Sequence, residues 1–252
     1  MQATSTYQKA VHLWKSSGSL RMNLDSFRVL FAYHSGKIEN DAITYKDTYD
    51  IFHTDRVSSF TGNPRTLFEQ HNQKICYEFL VPKILGKKAI TIELVKEIHA
   101  ILTEGAYEER MFLEKGERPG EFKKQYYVTG LLEVGSAPEE VALDMATLLS
   151  EIEVATMGES ITPEALLKIA AYFHAKFENI HPFADGSGRV GRTLLNYLLM
   201  TKGHPPLIIH EEDREQYFES LQAYDRHEDT GPMFEFLRLS VEKTWQESIG
   251  KA

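Results

Sequence analysis

The sequence holds a single cysteine, Cys76, among 252 residues, which excludes an intrachain disulfide and a cysteine-based metal cluster. Long hydrophobic runs are missing too. No stretch approaches the roughly eighteen apolar residues of a membrane span, and the N-terminal MQATSTYQKAVHLWKSSGSL lacks the apolar centre of a signal peptide. There is no basic excess. With 28 Lys and Arg against 37 Asp and Glu, the net charge is −9, so a broad electrostatic surface for nucleic acid is excluded and any anion site must be local. The expectation is a soluble, cytoplasmic protein that binds neither nucleic acid nor membrane. Low-complexity tracts and repeats are also absent. What is present, 42% hydrophobic and 26% charged residues, is apolar enough for a substantial core and too apolar for disorder.

Proline and glycine are sparse punctuation, at TGNPR (61 to 65), GERPG (116 to 120), GSAP (135 to 138), 185 to 191 and GHPP (203 to 206). Between them the spacing is helical. In ITPEALLKIAAYFHAKFENI, Thr162 is suited to an N-cap and Pro163 to the first helical position. Leu166, Ile169, Ala170, Phe173 and Phe177 then recur at steps of three and four, giving one apolar face. VGRTLLNYLLMTKG reads as a second helix, buried on most sides, and ends at Gly203. Further helices are expected over 66 to 81, 91 to 103, 138 to 154 and 211 to 247, the last broken near Gly231. PGEFKKQYYVTGLLEV, with Phe122, Tyr126, Tyr127 and Val128, has the aromatic and β-branched content of a short hairpin. The predicted class is mainly α with one small β element.

Between the two clearest helices lies HPFADGSGRVGR, residues 181 to 192. A loop entering a helix N-terminus presents unpaired N–H groups and the positive end of the helix dipole. Gly186, Gly188 and Gly191 allow close approach of an anion, and Arg189 and Arg192, three apart, offer planar donor forks for phosphate oxygens. Asp185 adds a hard oxygen ligand of the kind that holds Mg²⁺ beside phosphates. His181 can take a proton near neutrality. Singly, these are a turn, a surface pair and a helix-end charge; together they are the parts of a phosphoryl or nucleotidyl transfer site.

HPFADGSGRVGR resembles the signature of the Fic (filamentation induced by cAMP) family, H-P-F-x-D/E-G-N-G-R-x-x-R, at every defined position except Ser187, where asparagine is usual. The resemblance implies a Fic fold, a helical bundle with a small β-hairpin flap, that takes ATP as substrate with Mg²⁺, or alternatively Mn²⁺, and transfers AMP to a Tyr, Ser or Thr hydroxyl of a target protein. It implies that His181 is the general base, Phe183 the anchor of the loop and Asp185 the metal ligand. Gly186, Ser187 and Gly188 would form the anion hole, Arg189 would contact the phosphate chain and Arg192 the γ-phosphate. Serine is shorter than asparagine and lacks the amide, so its phosphate contacts would be weaker or water-mediated.

Upstream, AYHSGKIENDAIT matches the inhibitory motif S/T-x-x-x-E-G/N of the same family at Ser35, Glu39 and Asn40. Read without the family, Glu39 is a solvated charge at a helix end. The resemblance implies that residues 1–60 form an N-terminal helical segment carrying the motif, packed as one unit with a core at 61–252. Glu39 would then pair with Arg192 and take the partner that the γ-phosphate needs. The 117 to 131 segment resembles the flap that holds a target by strand addition. REQYFESLQAYD resembles the part that closes the adenine pocket, with Tyr217, Phe218 and Asp225; the same aromatics also suit a helix core. Self-modification and a homodimer are further expectations. Two alternatives stand beside AMP transfer: removal of AMP, with Glu39 orienting the water, and a nucleotide-binding regulatory protein with weak catalysis.

Overall fold

The structure, a computed structural model, describes residues 5–16, 20–39, 42–57, 60–129, 132–133, 135–158 and 161–250. Its architecture is helical. The elements in chain order are α1 (Thr6–Ser16), α2 (Leu20–Glu39), α3 (Tyr45–Thr54), α4 (Pro64–Leu85), α5 (Ile92–Thr103), α6 (Glu109–Leu113), β1 (Val128–Thr129), β2 (Leu132–Glu133), α7 (Val141–Ala155), α8 (Pro163–Ile180), α9 (Ser187–Thr201), a 3-10 turn η1 (Glu211–Asp213), α10 (Arg214–His227) and α11 (Gly231–Gly250).

Local chemistry fixes the helix starts. Thr162 caps α8 by accepting from the Ala165 N–H, with Pro163 at the first position, as its sequence predicts. Asn63 followed by Pro64 does the same for α4, and Thr91 for α5. Thr44 and Asp47 form a reciprocal capping box that starts α3. The expected break near Gly231 falls between α10 and α11, where Glu228 takes a left-handed conformation and Asp229 accepts from the Gly231 N–H.

The centre of the molecule is α9. Every one of its residues except Gly188 is buried, and it packs against α8, α5, α4 and α2. Around it α8 packs on α7, α10 and α11, while α1 rests on α11 with Trp14 edge-on to Trp245 at 5.4 Å. The two helices flanking the glycine loop are therefore set in the best-packed part of the fold, which holds the loop between them in a fixed place.

The hairpin is shorter and later than expected. Val128 pairs with Glu133 and Thr129 with Leu132; residues 130 and 131 lie outside the described residues. Phe122, Tyr126 and Tyr127 precede the strands in irregular chain. The reason is that this stretch is already bonded elsewhere: the Gly120 N–H donates to His99, the Lys123 N–H to the Pro182 carbonyl and the Lys124 N–H to Glu117. Backbone tied to the core in this way is not available for a strand ladder. Among the described residues no helix is long and apolar enough to cross a membrane.

Candidate active site

The site begins where α8 ends. His181 terminates the helix in a left-handed conformation (φ 48°), its N–H donating to the Phe177 carbonyl. Two backbone bonds clip the hairpin segment to either side of this histidine: the Lys123 N–H donates to the Pro182 carbonyl and the Ser136 N–H to the Ile180 carbonyl, both at 2.9 Å. Gly135 (φ 81°) makes the second clip possible, because a Cβ there would come within 2.6 Å of the His181 Cβ and 2.8 Å of the Lys123 Nζ. Burial, reinforced by the Lys123 ammonium, pushes the His181 imidazole down to about 4, against the opposing pull of Glu39 and Asp185. At neutral pH it is an unprotonated base.

Phe183 is fully buried and stacks on His99, with ring centroids 3.8 Å apart and planes 2° from parallel. His99 also fixes the loop backbone. Its Nδ1 accepts from the Gly120 N–H (2.8 Å), so its proton sits on Nε2, which donates to the Asp185 carbonyl (2.9 Å). Burial lowers this imidazole to about 4, so the tautomer persists at physiological pH. Nothing in the sequence marks His99 as a loop support, because its spacing on α5 is that of a core residue.

Ser187 is turned inward. Its hydroxyl donates to the Phe183 carbonyl (3.2 Å) and accepts from the Phe183 N–H (3.1 Å), at 1% exposure. The side chain thus closes the loop on itself. Gly186 (φ 81°) precedes α9, whose N-terminus carries no side-chain cap; the positive helix end is left for another anion.

The two arginines face different neighbours. Arg189, buried, donates to Glu69 on α4 (3.1 Å), to the Leu102 carbonyl (3.4 Å) and to Asp185 (3.5 Å). Arg192, 2% exposed, donates through Nε to the Ser35 hydroxyl (3.0 Å) and through Nη2 to the Ser35 carbonyl (3.1 Å) and Glu39 Oε1 (2.7 Å). The same Glu39 oxygen lies against the loop, 2.7 Å from where a Cβ of Gly188 would stand. A carboxylate from α2 therefore sits at the uncapped N-terminus of α9 with Arg192 as its counter-ion. Burial opposes ionisation of Glu39, but 44% of its side chain stays accessible, and Arg192, then Arg189 and His181, hold the carboxyl below its usual range. Asn40 lies outside the described residues.

Asp185 is paired with Arg65 of α4, which also reaches Glu69 (3.0 Å) and Glu108 (3.4 Å). In sequence Arg65 and Glu69 are only an i, i+4 surface pair, so their role here was not legible. Glu178, one turn before His181, is a second unforeseen group. Its carboxyl lies against Gly191, where any side chain would collide with it, and its Oε1 has no hydrogen-bond partner among the described residues. Burial raises it to about 7, with Arg192 opposing and Glu39 and Asp225 adding.

The residues expected at the adenine pocket do not share one surface. Tyr217 is 1% exposed, belongs to the core and stands 2.9 Å from the His174 Nε2. Phe218 is 38% exposed under the Arg214 guanidinium at 5.0 Å, and Asp225 accepts from Asn179 on α8 (2.9 Å). The Tyr217 and Phe218 rings lie 5.3 Å apart, centroid to centroid, but only Phe218 reaches the surface.

Five buried histidines lie well below their ordinary value of 6.5: His34, His99, His181 and His204 at about 4 and His174 at about 3, each mainly by burial. Between 6.5 and those values the unfolded chain binds protons that the folded chain refuses, so stability falls as pH drops through this window. Glu178 acts in the opposite sense between 4.5 and about 7, one group against five. The melting temperature is expected to decline steadily from about pH 7 to about pH 4.5; a flat or rising profile would contradict the burial assigned to these rings.

Residues 89–199 match the model of the Fic/DOC family. Relatives named protein adenylyltransferase Fic, from Drosophila persimilis and Drosophila melanogaster, are each 29% identical over 242 residues and cover 93% of this chain. The chain spans 43% and 44% of their lengths, less than half. A Fic domain containing signaling protein from Bacteroides thetaiotaomicron superposes with a TM-score of 0.82 at 22% identity, covering 97% of this chain and 96% of that one. Fic-1 from C. elegans superposes with a TM-score of 0.76 at 25% identity, covering 98% of this chain and 71% of that one.

Proposed function

We propose that this chain, whose residues 89–199 match the Fic/DOC family model, is a protein adenylyltransferase restrained by its own Glu39. The observation that carries the reading is the pairing of Glu39 with Arg192 at 2.7 Å against Gly188, in the place where an anion would meet the helix N-terminus. The names borne by the Drosophila relatives supply the class of chemistry, transfer of an adenylyl group to a protein; in this reading ATP is the donor and a side-chain hydroxyl the acceptor.

His181 takes the proton of the target hydroxyl, whose oxygen bonds to the α-phosphorus as the bond to the β-phosphate oxygen breaks and pyrophosphate leaves. Burial and Lys123 keep His181 unprotonated at physiological pH, so its lone pair is open to the proton of the hydroxyl. The uncapped N-terminus of α9 and the Gly186 and Gly188 backbone receive the phosphates. Arg192 serves the terminal phosphate once Glu39 withdraws. Arg189, tied to Glu69 and the Leu102 carbonyl, holds the loop and offers its remaining donor surface to the phosphate chain. The Ser187 hydroxyl, already bonded to Phe183, supports loop shape.

A single carboxylate beside a phosphate site fits Mg²⁺, which keeps much of its shell as water and phosphate oxygen. Asp185 would hold the ion, with Mn²⁺ as an alternative, and the ion would neutralise phosphate charge. Arg65 now occupies that carboxylate. Arg65→Ala is therefore expected to tighten Mn²⁺ binding about fivefold, from the ~1 kcal/mol of a partly exposed ion pair, as read by Mn²⁺ paramagnetic resonance. Unchanged or weaker binding would remove Asp185 from the metal role.

In the same reading, residues 1–60 restrain the core at 61–252, the 117 to 131 segment beside His181 receives the target, and the chain modifies one of its own hydroxyls. Tyr217, Phe218 and Asp225 form the adenine contact only after Phe218 and its neighbours rearrange. Transfer of label from α-labelled ATP to protein, compared between the parent and Glu39→Gly, tests the proposal.

A further inference from the structure

The residue before Ser35 on the restraining helix is His34, and it meets a second cluster. Its ring lies 4.5 Å from that of His210, centroid to centroid, just before η1. One donor atom from each of His34, His210 and Glu212 falls within 4.8 Å of the others. The seam is stitched on both sides: the Tyr33 hydroxyl donates to Glu211 (2.9 Å) and Arg214 Nε donates to the Ile38 carbonyl (3.0 Å). We propose that His34, His210 and Glu212 form a binding site for a borderline transition-metal dication of the zinc class, which clamps α2 to the 210–214 segment.

Two imidazoles and one carboxylate are the donor set that Zn²⁺ takes with a fourth position for water, and they are poor partners for Mg²⁺, which wants oxygen. The His34 Nδ1 lone pair is engaged only by a long bond, 3.3 Å, from the Glu211 N–H. The His210 Nδ1 stands 3.8 Å from Glu212, while its buried Nε2 has no hydrogen-bond partner among the described residues. Bond lengths of about 2.0–2.1 Å place tetrahedral ligands roughly 3.4 Å apart, so the cluster must close by little more than an ångström. Glu212, 56% exposed, has the freedom to do so. Lys243 holds Glu212 at 2.9 Å and Asp213 at 2.6 Å, and keeps Asp213 when Glu212 turns to the metal. Glu211, Glu212 and Asp213 face Lys243 and Lys37, with Arg214 beside them, so the fixed charges around the cluster are close to balanced.

Zn²⁺ titration calorimetry of the chelator-stripped chain, in excess Mg²⁺ so that hard oxygen sites are filled, should show one site per chain of micromolar or tighter affinity. His210→Ala and Glu212→Gln should each weaken it by about tenfold or more; Glu212 is exposed, so its variant keeps the fold even if the first does not. No binding by the parent, or equal binding by the parent and Glu212→Gln, would overturn the site. Hydrogen exchange at the amides of 30–39 should slow with Zn²⁺ in the parent and not in Glu212→Gln; binding without slowing would overturn the clamp. Slower AMP transfer with Zn²⁺ rests on the function proposed above, whereas binding and amide protection do not, so the two failures are distinguishable.

Discussion

Glu39→Gly is expected to raise AMP transfer by about tenfold. The Glu39 carboxylate makes a charge-assisted bond to Arg192 at 2.7 Å, an interaction worth about 1.5–3 kcal/mol, and the lower end applies because 44% of the Glu39 side chain remains accessible. One such increment corresponds to about a tenfold rate. The change is at the last residue of α2, where glycine is well tolerated. Arg192 keeps both bonds to Ser35, so it stays in place while a buried cation loses its anion. The variant should therefore melt lower than the parent without ligand and gain more from ATP, because ATP restores the missing charge. Transfer that is unchanged or reduced would sink the restraint. Loss of AMP removal in the variant would favour the reverse reaction, with Glu39 orienting water. Nucleotide bound with no label transferred would favour a regulatory protein.

His181→Asn is expected to lower transfer by about 10² to 10⁴, the range for loss of a positioned general base. Asparagine is the informative replacement. Residue 181 has φ 48°, a conformation that asparagine visits more readily than alanine, so the α8 terminus and the two clips to 123 and 136 should survive. The loss then belongs to the imidazole. Because burial and Lys123 set its titration at about 4, the base is already unprotonated at pH 6, and the parent rate should be nearly flat from about pH 6 to 8. A rate that rises through that range with an apparent value near 6.5, or a variant within a few-fold of the parent, would assign the base elsewhere.

Much of this site was legible because its chemistry lies in one stretch. His181 to Arg192 carries its own glycines, and the helices on either side announce themselves through Thr162, Pro163 and a regular apolar face. The capping box of Thr44 and Asp47 that starts α3 is likewise local. What could not be read is what depends on distant elements meeting. His99 on α5, Glu69 and Arg65 on α4 and Gly135 beside the hairpin support the loop from far away in sequence, from 46 residues for Gly135 and His181 to 86 for His99 and Asp185 and 120 for Arg65 and Asp185. Each has an ordinary spacing on its own helix. The hairpin falls within the expected 119 to 134 stretch, but its first half stays irregular for the same reason, since the backbone of 120 to 124 is bonded to His99, Pro182 and Glu117 rather than to a partner strand. Ser187 looked like a weakened phosphate ligand in the sequence, whereas its hydroxyl faces Phe183.

The central claim is that Glu39 holds a competent AMP-transfer site closed. Its most direct test is incubation of the parent, Glu39→Gly and Glu39→Gly with His181→Asn in α-labelled ATP and Mg²⁺, alone and with cell lysate, followed by measurement of label bound to protein. The account predicts little label with the parent, about tenfold more with Glu39→Gly and loss of that gain in the double variant. No label above background with Glu39→Gly, on itself or on any lysate protein, would contradict it.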